Sequence, residues 1–296
     1  MKCLVTGGAG FIGSNLAIYL EENSHQVVVA DNFSSGHKDN ISKFKGKVVN
    51  LDLSRNFNLN ENFDVIFHQA AITDPRYPDD KDTMRQNLEG FNNILQFAKK
   101  IKAKLIYAST ASLYGNGPAP QREDQPKELL SAYAKSKLII DEMACHHFND
   151  MHIVGLRYFN VFGPREEKKG RAASMVYHLA KQLIAGKRPR IFKMGEQKRD
   201  HIYVKDCVSA NIKALEAKSG IYNVGTGVGT SFNSLVKVLN EVLGTDLEPE
   251  YIDMPYEKKS YQSNTQADTN RAKQLLRFSS EYDLKSGVKD YVEMIR

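Results

Sequence analysis

The stretch "VTGGAGFIGSN", Val5 to Asn15, constrains the fold more than any other part of the chain. It sets Gly8-x-Gly10-x-x-Gly13, overlaid by Gly7-x-x-Gly10-x-x-Gly13, between an apolar run, "KCLVT", and an amphipathic one, "FIGSNLAIYLEEN". Glycines admit φ values and close approaches that a Cβ would block. A helix that opens just after them presents unpaired N–H groups to an anion. Strand, glycine turn and helix in that order form the phosphate-binding start of a dinucleotide site. Such a site needs an acidic residue about 20 positions on to take the ribose hydroxyls. Asp31 stands there, at the end of the next apolar run, "QVVVAD". The pattern predicts Gly7, Gly10, Phe11, Ile12 and Gly13 at the diphosphate, and Asp31 with Asn32 at the ribose. The charge of Asp31 would repel a 2′-phosphate, which favours NAD. His37 and Lys38 lie close enough along the chain to keep NADP open.

Short apolar runs continue to alternate with longer amphipathic ones. "KVVNLD", "DVIFHQAA", "KLIYAST" and "HIVGLRYFN" read as strands, with helices near Asp82–Ile101 and Ser131–Phe148. Uninterrupted Val/Ile/Leu runs suit strands covered on both faces. Their alternation with helices implies an α/β fold with a doubly wound parallel sheet. After Pro164 the pattern loosens. Helices are expected at Ala172–Ala185, Val204–Ala217 and Phe232–Leu243, and "GIYNVGTG" reads as a late strand returning to the sheet. We therefore expect a dinucleotide-binding domain over 1–164, with 204–243 returning to it, and a smaller substrate domain mainly over 165–296.

Composition excludes several classes. Hydrophobic content of 41% and charged content of 26% over 296 residues are ordinary for a globular protein. No run approaches the roughly 18 apolar residues of a membrane span. The start lacks the apolar core of a signal peptide, so the expectation is a cytoplasmic protein without a membrane partner. Cys3, Cys145 and Cys207 form no C-x-x-C pair and are expected to be small buried hydrophobes. His146 and His147 are adjacent and cannot share a helix face, so no metal site is predicted. The net charge is +6, with much of it between Arg165 and Arg199. A basic stretch suits an anionic partner or a solvated face. No nucleic-acid motif accompanies it, so a nucleic-acid partner is not expected.

A Tyr-x-x-x-Lys pair sets phenol and ammonium one turn apart on one helix face. The cation is expected to lower a tyrosine pKa that is about 10 unperturbed. Reaching neutrality takes roughly three units, or about 4 kcal/mol, which lysine and an oxidised nicotinamide together could supply. The tyrosinate then removes a hydroxyl proton as hydride leaves carbon. The motif occurs at Tyr77–Lys81, Tyr133–Lys137 and Tyr177–Lys181. Tyr77-Pro78 breaks the helix, and Tyr177 lies in an apolar packing pattern beyond the first domain. Tyr133–Lys137 follows "YASTASLYG", where Thr110 offers a second hydroxyl, so position selects it.

"TGGAGFIG", Asp31, Asp52-Leu53, "FHQAA", "NLEGF", "STASLYG", "YAKSK" and "RYFNVFGPR" come in an order that resembles the extended short-chain dehydrogenase/reductase family. The resemblance implies a Rossmann domain and Asp52 and Leu53 beside the adenine. It implies that Ala70, Ala71 and Asn87 line the dinucleotide. Thr110 and Tyr133 would meet the reacting oxygen, Lys137 the nicotinamide ribose, and Asn160 a nucleotide-diphosphate sugar. Arg199 and Asp200 of "KRDHIYV" are further candidates, Arg199 before Asp200. The family commonly forms homo-oligomers.

Within that family, "GPREEKKGRAASMVYHLAKQL" and "YQSNTQAD" resemble the ADP-glycero-manno-heptose 6-epimerases. The resemblance makes Lys169 a second acid/base and Tyr261 a substrate contact. "ITDPRYPDD" and Ser260 differ from that branch. UDP-hexose 4-epimerases use the same Tyr, Ser/Thr and NAD without Lys169. A 4,6-dehydratase carries an Asp-Glu pair where this chain has Ala111-Ser112. A non-catalytic dinucleotide sensor would not need Thr110, Tyr133 and Lys137 together.

Overall fold

The computed structural model describes residues 1–74, 77–254 and 262–295. The chain opens with β1 (Lys2–Thr6), α1 (Phe11–Glu22), β2 (Gln26–Asp31), β3 (Lys47–Asn50), β4 (Val65–His68), α2 (Asp80–Ile101), β5 (Lys104–Thr110) and α3 (Ala132–Cys145). It continues with β6 (Ile153–Tyr158), β7 (Asn160–Phe162), α4 (Met175–Ile184), β8 (Arg190–Phe192), β9 (Lys198–Tyr203), α5 (Val204–Lys213) and β10 (Gly220–Val224). The last elements are β11 (Gly229–Ser231), α6 (Phe232–Leu243), β12 (Glu250–Ile252) and α7 (Leu284–Ile295).

Seven strands form one parallel sheet in the order β10-β6-β5-β4-β1-β2-β3. Side chains alternate across it: Cys3 and Val5 enter the layer under α1 and α5, while Leu4 enters the layer under α2 and α3. Burial on both faces explains why the inner strands read as unbroken apolar runs, whereas β3, at the edge, is largely exposed. The strand order reverses between β1 and β4, and in such sheets ligands bind beyond the carboxyl ends at that switch point.

The second half departs from the sequence reading in places. "HIVGLRYFN" is two strands, because the Phe159 N–H bonds the Val224 carbonyl and the chain then leaves the sheet. Asn160 opens β7, which pairs with β9 in a small sheet, β11-β9-β7; β8 and β12 make another pair. The helix expected from Ala172 starts at Met175, where Ser174 caps it. A 3₁₀ segment, Glu167–Ala172, precedes it, with Gly170 at φ +53°. Within 204–243, α5 packs on α1 and β10 joins the sheet, whereas α6 packs on α4 and α7. Cys3 and Cys207 are buried, but Cys145 is exposed at the end of α3. No helix among the described residues is long and apolar enough to cross a membrane.

Candidate active site

The glycine turn follows β1 at the switch point and is pressed against the end of β4. Gly7 has φ +65°, and a Cβ there would lie 2.6 Å from the Ala70 nitrogen. A Cβ on Gly13 would come within 2.1 Å of the Gly7 carbonyl oxygen, so α1 can sit on the turn only with glycine there. Gly10 differs: its Cβ would meet only that same carbonyl oxygen, at 3.1 Å, and otherwise face open space. Side chains of Asp79, Ser131, Ser174 and Ser231 cap α2, α3, α4 and α6, but Gly10 supplies none to α1. The first-turn N–H groups at Phe11 and Ile12 are thus without a side-chain cap beside an open face. This donor set fits a diphosphate.

Asp31 is buried at the end of β2. Its Oδ2 accepts the Ala9 N–H at 2.9 Å and its Oδ1 the Phe33 N–H at 2.8 Å. Burial pushes its carboxyl pKa up, and these two donors oppose the shift. The carboxylate ties the glycine turn to the loop after β2 and keeps lone pairs for ribose hydroxyls. Asn32 is exposed and turns its Oδ1 to Ser34. Lys38 lies with its ammonium 6.0 Å from the Phe33 ring centre. Asp52 accepts from Ser54 and pairs with Arg55 at 3.2 Å, while the neighbouring Leu53 is buried. Ala70 and Ala71 are half-buried after β4.

Across the switch point, Thr110 ends β5 and Tyr133 and Lys137 share a face of α3. Ser131 caps that helix, which fixes its start. Lys137 is buried, its Nζ donates to the Ala108 carbonyl at 2.8 Å, and burial lowers its pKa to about 8. Tyr133 does not follow the expectation of a lowered pKa. In the protein alone, burial raises the phenol to about 12, and the Thr110 hydroxyl works only partly against this. His68, behind the lysine, shares a 2.8 Å hydrogen bond with Thr6 Oγ1 and stays neutral, its pKa pushed to about 3 by burial and by the lysine charge.

Asn87 links these parts. Its amide exchanges hydrogen bonds with both backbone groups of Ile72, at 2.8 and 3.1 Å, and donates to Ser136 Oγ at 3.0 Å. The loop after β4 is thereby clamped to the turn of α3 between Tyr133 and Lys137. Two residues on, Asp74 pairs with Arg171 at 3.6 Å and acts on the charge of Lys169.

Lys169 sits in the 3₁₀ segment. The residue is exposed overall, but its ammonium lies 5.5 Å from the Phe11 ring centre, and burial of that end lowers its pKa. Lys168 pairs with Asp39 at 2.8 Å, and Arg165 donates to Asn15 Oδ1 at 2.6 Å. The segment therefore bridges the glycine turn, the loop after β2 and the loop after β4. Buried Glu166 anchors it from below by accepting from the Gly163 N–H and from Ser174. Part of the basic stretch is thus spent on carboxylates around the dinucleotide end of the sheet.

Asn160 accepts from the Thr265 hydroxyl at 2.8 Å. Arg199 is buried against Phe232, its guanidinium 5.8 Å from the ring centre. Asp200 holds structure: its carboxylate takes the N–H groups of Thr226, Gly227 and Ala267 and the Thr226 hydroxyl. Tyr261 lies outside the described residues, as does Ser260. Among the described residues no cluster of His, Cys, Asp and Glu could hold a metal. Sequence reasoning missed Ser136, Asp74 and Glu166. Ser136 was visible as the residue before Lys137, but the other two mark no motif.

A model of the NAD dependent epimerase/dehydratase family matches residues 3–225. The chain is 40% identical to an ADP-L-glycero-D-manno-heptose-6-epimerase from Brachyspira hyodysenteriae, covering 99% of this chain and 97% of that protein. It is 36% identical to a putative UDP-glucose 4-epimerase from Methanocaldococcus jannaschii, covering 99% of this chain and 98% of that one. The crystal structure of the Helicobacter pylori ADP-L-glycero-D-manno-heptose-6-epimerase superposes with a TM-score of 0.93 at 42% identity, over 99% of this chain and 96% of that chain.

Proposed function

The chain belongs to the NAD-dependent epimerase/dehydratase family, and from that premise we propose that it inverts the C6 centre of an ADP-activated glycero-manno-heptose. A nicotinamide dinucleotide held by the glycine turn and Asp31 would supply reversible hydride transfer, so that no net oxidation results. Tyr133 takes the hydroxyl proton as the C6 hydrogen leaves as hydride, and a ketone is formed. Thr110 holds the reacting oxygen by hydrogen bonding. Lys137, anchored on Ala108, fixes the ribose and supplies positive charge next to the phenol. A raised phenol pKa makes Tyr133 a weak base in the protein alone, so positive charge brought by the oxidised ring favours its ionisation.

One observation carries the C6 reading over C4. Lys169 is a second partly desolvated ammonium, lowered in pKa and set over the Phe11 ring at the start of α1. Either epimerisation returns hydride to the opposite face of the ketone, and the heptose 6-epimerases that the sequence resembles do so with a second proton carrier at the position of Lys169. A UDP-hexose 4-epimerase can use Tyr133 in both half-reactions and leaves Lys169 idle. Asp31 favours NAD, while Lys38 on the adjoining loop offers a 2′-phosphate a partner, so both dinucleotides belong in the assay.

Separate incubation with ADP-glycero-manno-heptose, UDP-glucose and UDP-N-acetylglucosamine tests the proposal. Epimer is expected from the heptose nucleotide. Epimer from a UDP-hexose alone would transfer the assignment to C4, and a net oxidised sugar would make the protein a dehydrogenase.

A further inference from the structure

The face of α3 that carries Tyr133 and Lys137 continues one turn further to Asp141, at i, i+4 and i+8. Asp141 is 2% exposed, and carboxylates are seldom so deep without partners. Its Oδ2 accepts a hydrogen bond from Arg157 Nε and forms an ion pair with Nη2, each at 2.9 Å, and its Oδ1 accepts from the Tyr107 hydroxyl at 3.0 Å. Arg157 also donates to Tyr114 Oη at 3.0 Å and to the Glu123 carbonyl at 3.1 Å. Tyr114 in turn donates to Asn223 on β10 at 2.6 Å. The backbone leaves room for this network: a Cβ at Gly155 would lie 2.4 Å from the Tyr107 hydroxyl.

A buried ion pair is poor evidence of a stabilising role, since an apolar pair of similar volume often holds a core as well or better. Its retention directly behind Lys137 calls for something only charge can do. We propose that Asp141, clamped by Arg157, is a positioning residue for the Tyr133–Lys137 pair, holding the buried ammonium in its charged form and in place on α3.

The surroundings of Lys137 support this. Burial drives it toward neutrality, and Asp141 is the charge that opposes the drive. His68 on β4 also feels the lysine and stays neutral, Tyr133 shares its helix, and Tyr107 on β5 faces Asp141. Arg157 on β6 bonds Asp141 directly, while Glu123, Lys127 and Cys145 couple to Asp141 or its partners from further away. Asp141 also raises the Tyr133 phenol, and Arg157 moderates Asp141 itself. Removing the carboxylate charge therefore lowers the pKa of both Lys137 and Tyr133, which moves any activity profile toward acid.

The inference rests on the proposed reaction only for its kinetic readout; the titration of Lys137 needs no turnover. Lysine labelled with ¹³C at Cε reports that titration by NMR in the protein without dinucleotide, with Lys137→Arg to assign the resonance. A midpoint near 8 is expected in the native protein. Asp141→Asn should lower it by about one unit, and the kcat–pH profile should move to acid by a similar amount. Asp141→Glu, which keeps the charge, should titrate like the native protein. Should Asp141→Asn not fold, the doubly neutral Asp141→Asn/Arg157→Gln protein takes its place, with a shift in the same direction. An unchanged Lys137 midpoint in a folded neutral variant overturns the proposal, and so does a Glu variant that shifts as Asn does. Full activity of Tyr133→Phe would instead sink the proposed reaction and leave this titration untouched.

Discussion

The ammonium of Lys137 donates to the carbonyl of Ala108 at 2.8 Å, which ties the helix that carries Tyr133 to the strand that ends in Thr110. That bond places the two hydroxyls at one end of the sheet. It also buries a cation that would be better solvated outside. The site is assembled at the expense of stability, and the cost appears in the pKa of the lysine.

Replacing Lys137 by Met tests that cost. The lysine has a folded pKa near 8 against 10.5 for the free group, so the unfolded chain binds one proton more between those values. Native stability therefore rises with pH from about 8 to about 10.5 through this residue. Below pH 8 the penalty is complete, on the order of 3 kcal/mol. Lys137→Met should melt higher than the native protein at pH 7, should lose that advantage by about pH 10.5, and should be inactive. Equal melting differences at both pH values would show that the ammonium is not held against its solvation.

The phenol is the next test. Tyr133→Phe should reduce epimerisation by roughly 10²–10⁴-fold, the usual range for loss of a positioned acid–base group. Dinucleotide affinity, followed by quenching of tyrosine fluorescence or by calorimetry, should change little. Native turnover in this variant would remove Tyr133 from the mechanism.

Lys169→Met separates the two branches of the reaction. Glu166 holds the segment by bonds to the Gly163 N–H and to Ser174 that do not involve the Lys169 side chain, so the fold should be kept. A C6 epimerase should lose activity by about a hundredfold or more. A C4 epimerase should keep most of its rate. The assay is product epimer by chromatography, with the melting temperature as a control.

Two glycines of the turn should behave differently. A Cβ at Gly13 meets backbone at 2.1 Å, which no rotamer change relieves. Gly13→Ala should cost about 1–3 kcal/mol or prevent folding. Gly10→Ala meets only one atom, at 3.1 Å, and should melt close to the native protein. Its methyl group occupies the face proposed for the diphosphate, so dinucleotide binding should weaken sharply. A Gly10→Ala protein that binds dinucleotide as well as the native one would contradict the placement of the diphosphate.

Local chemistry made much of this protein readable from its residues. Alternating buried strands and amphipathic helices write themselves into the chain as runs of Val, Ile and Leu, so the parallel sheet could be foreseen. The glycine spacing and Asp31 could be foreseen too, because backbone approach and a ribose contact each demand one residue type at one place. What depended on distance in space could not. Nothing near Asn160 in sequence says that the chain leaves the sheet at Phe159 to pair with β9, because the bond that turns it goes to Val224. The pKa of Tyr133 depended on burial that only packing produces, and it moved opposite to the lysine-based expectation. Glu166, Asp74 and Arg157 act through partners that folding brings to them, so their roles became visible only in the tertiary structure.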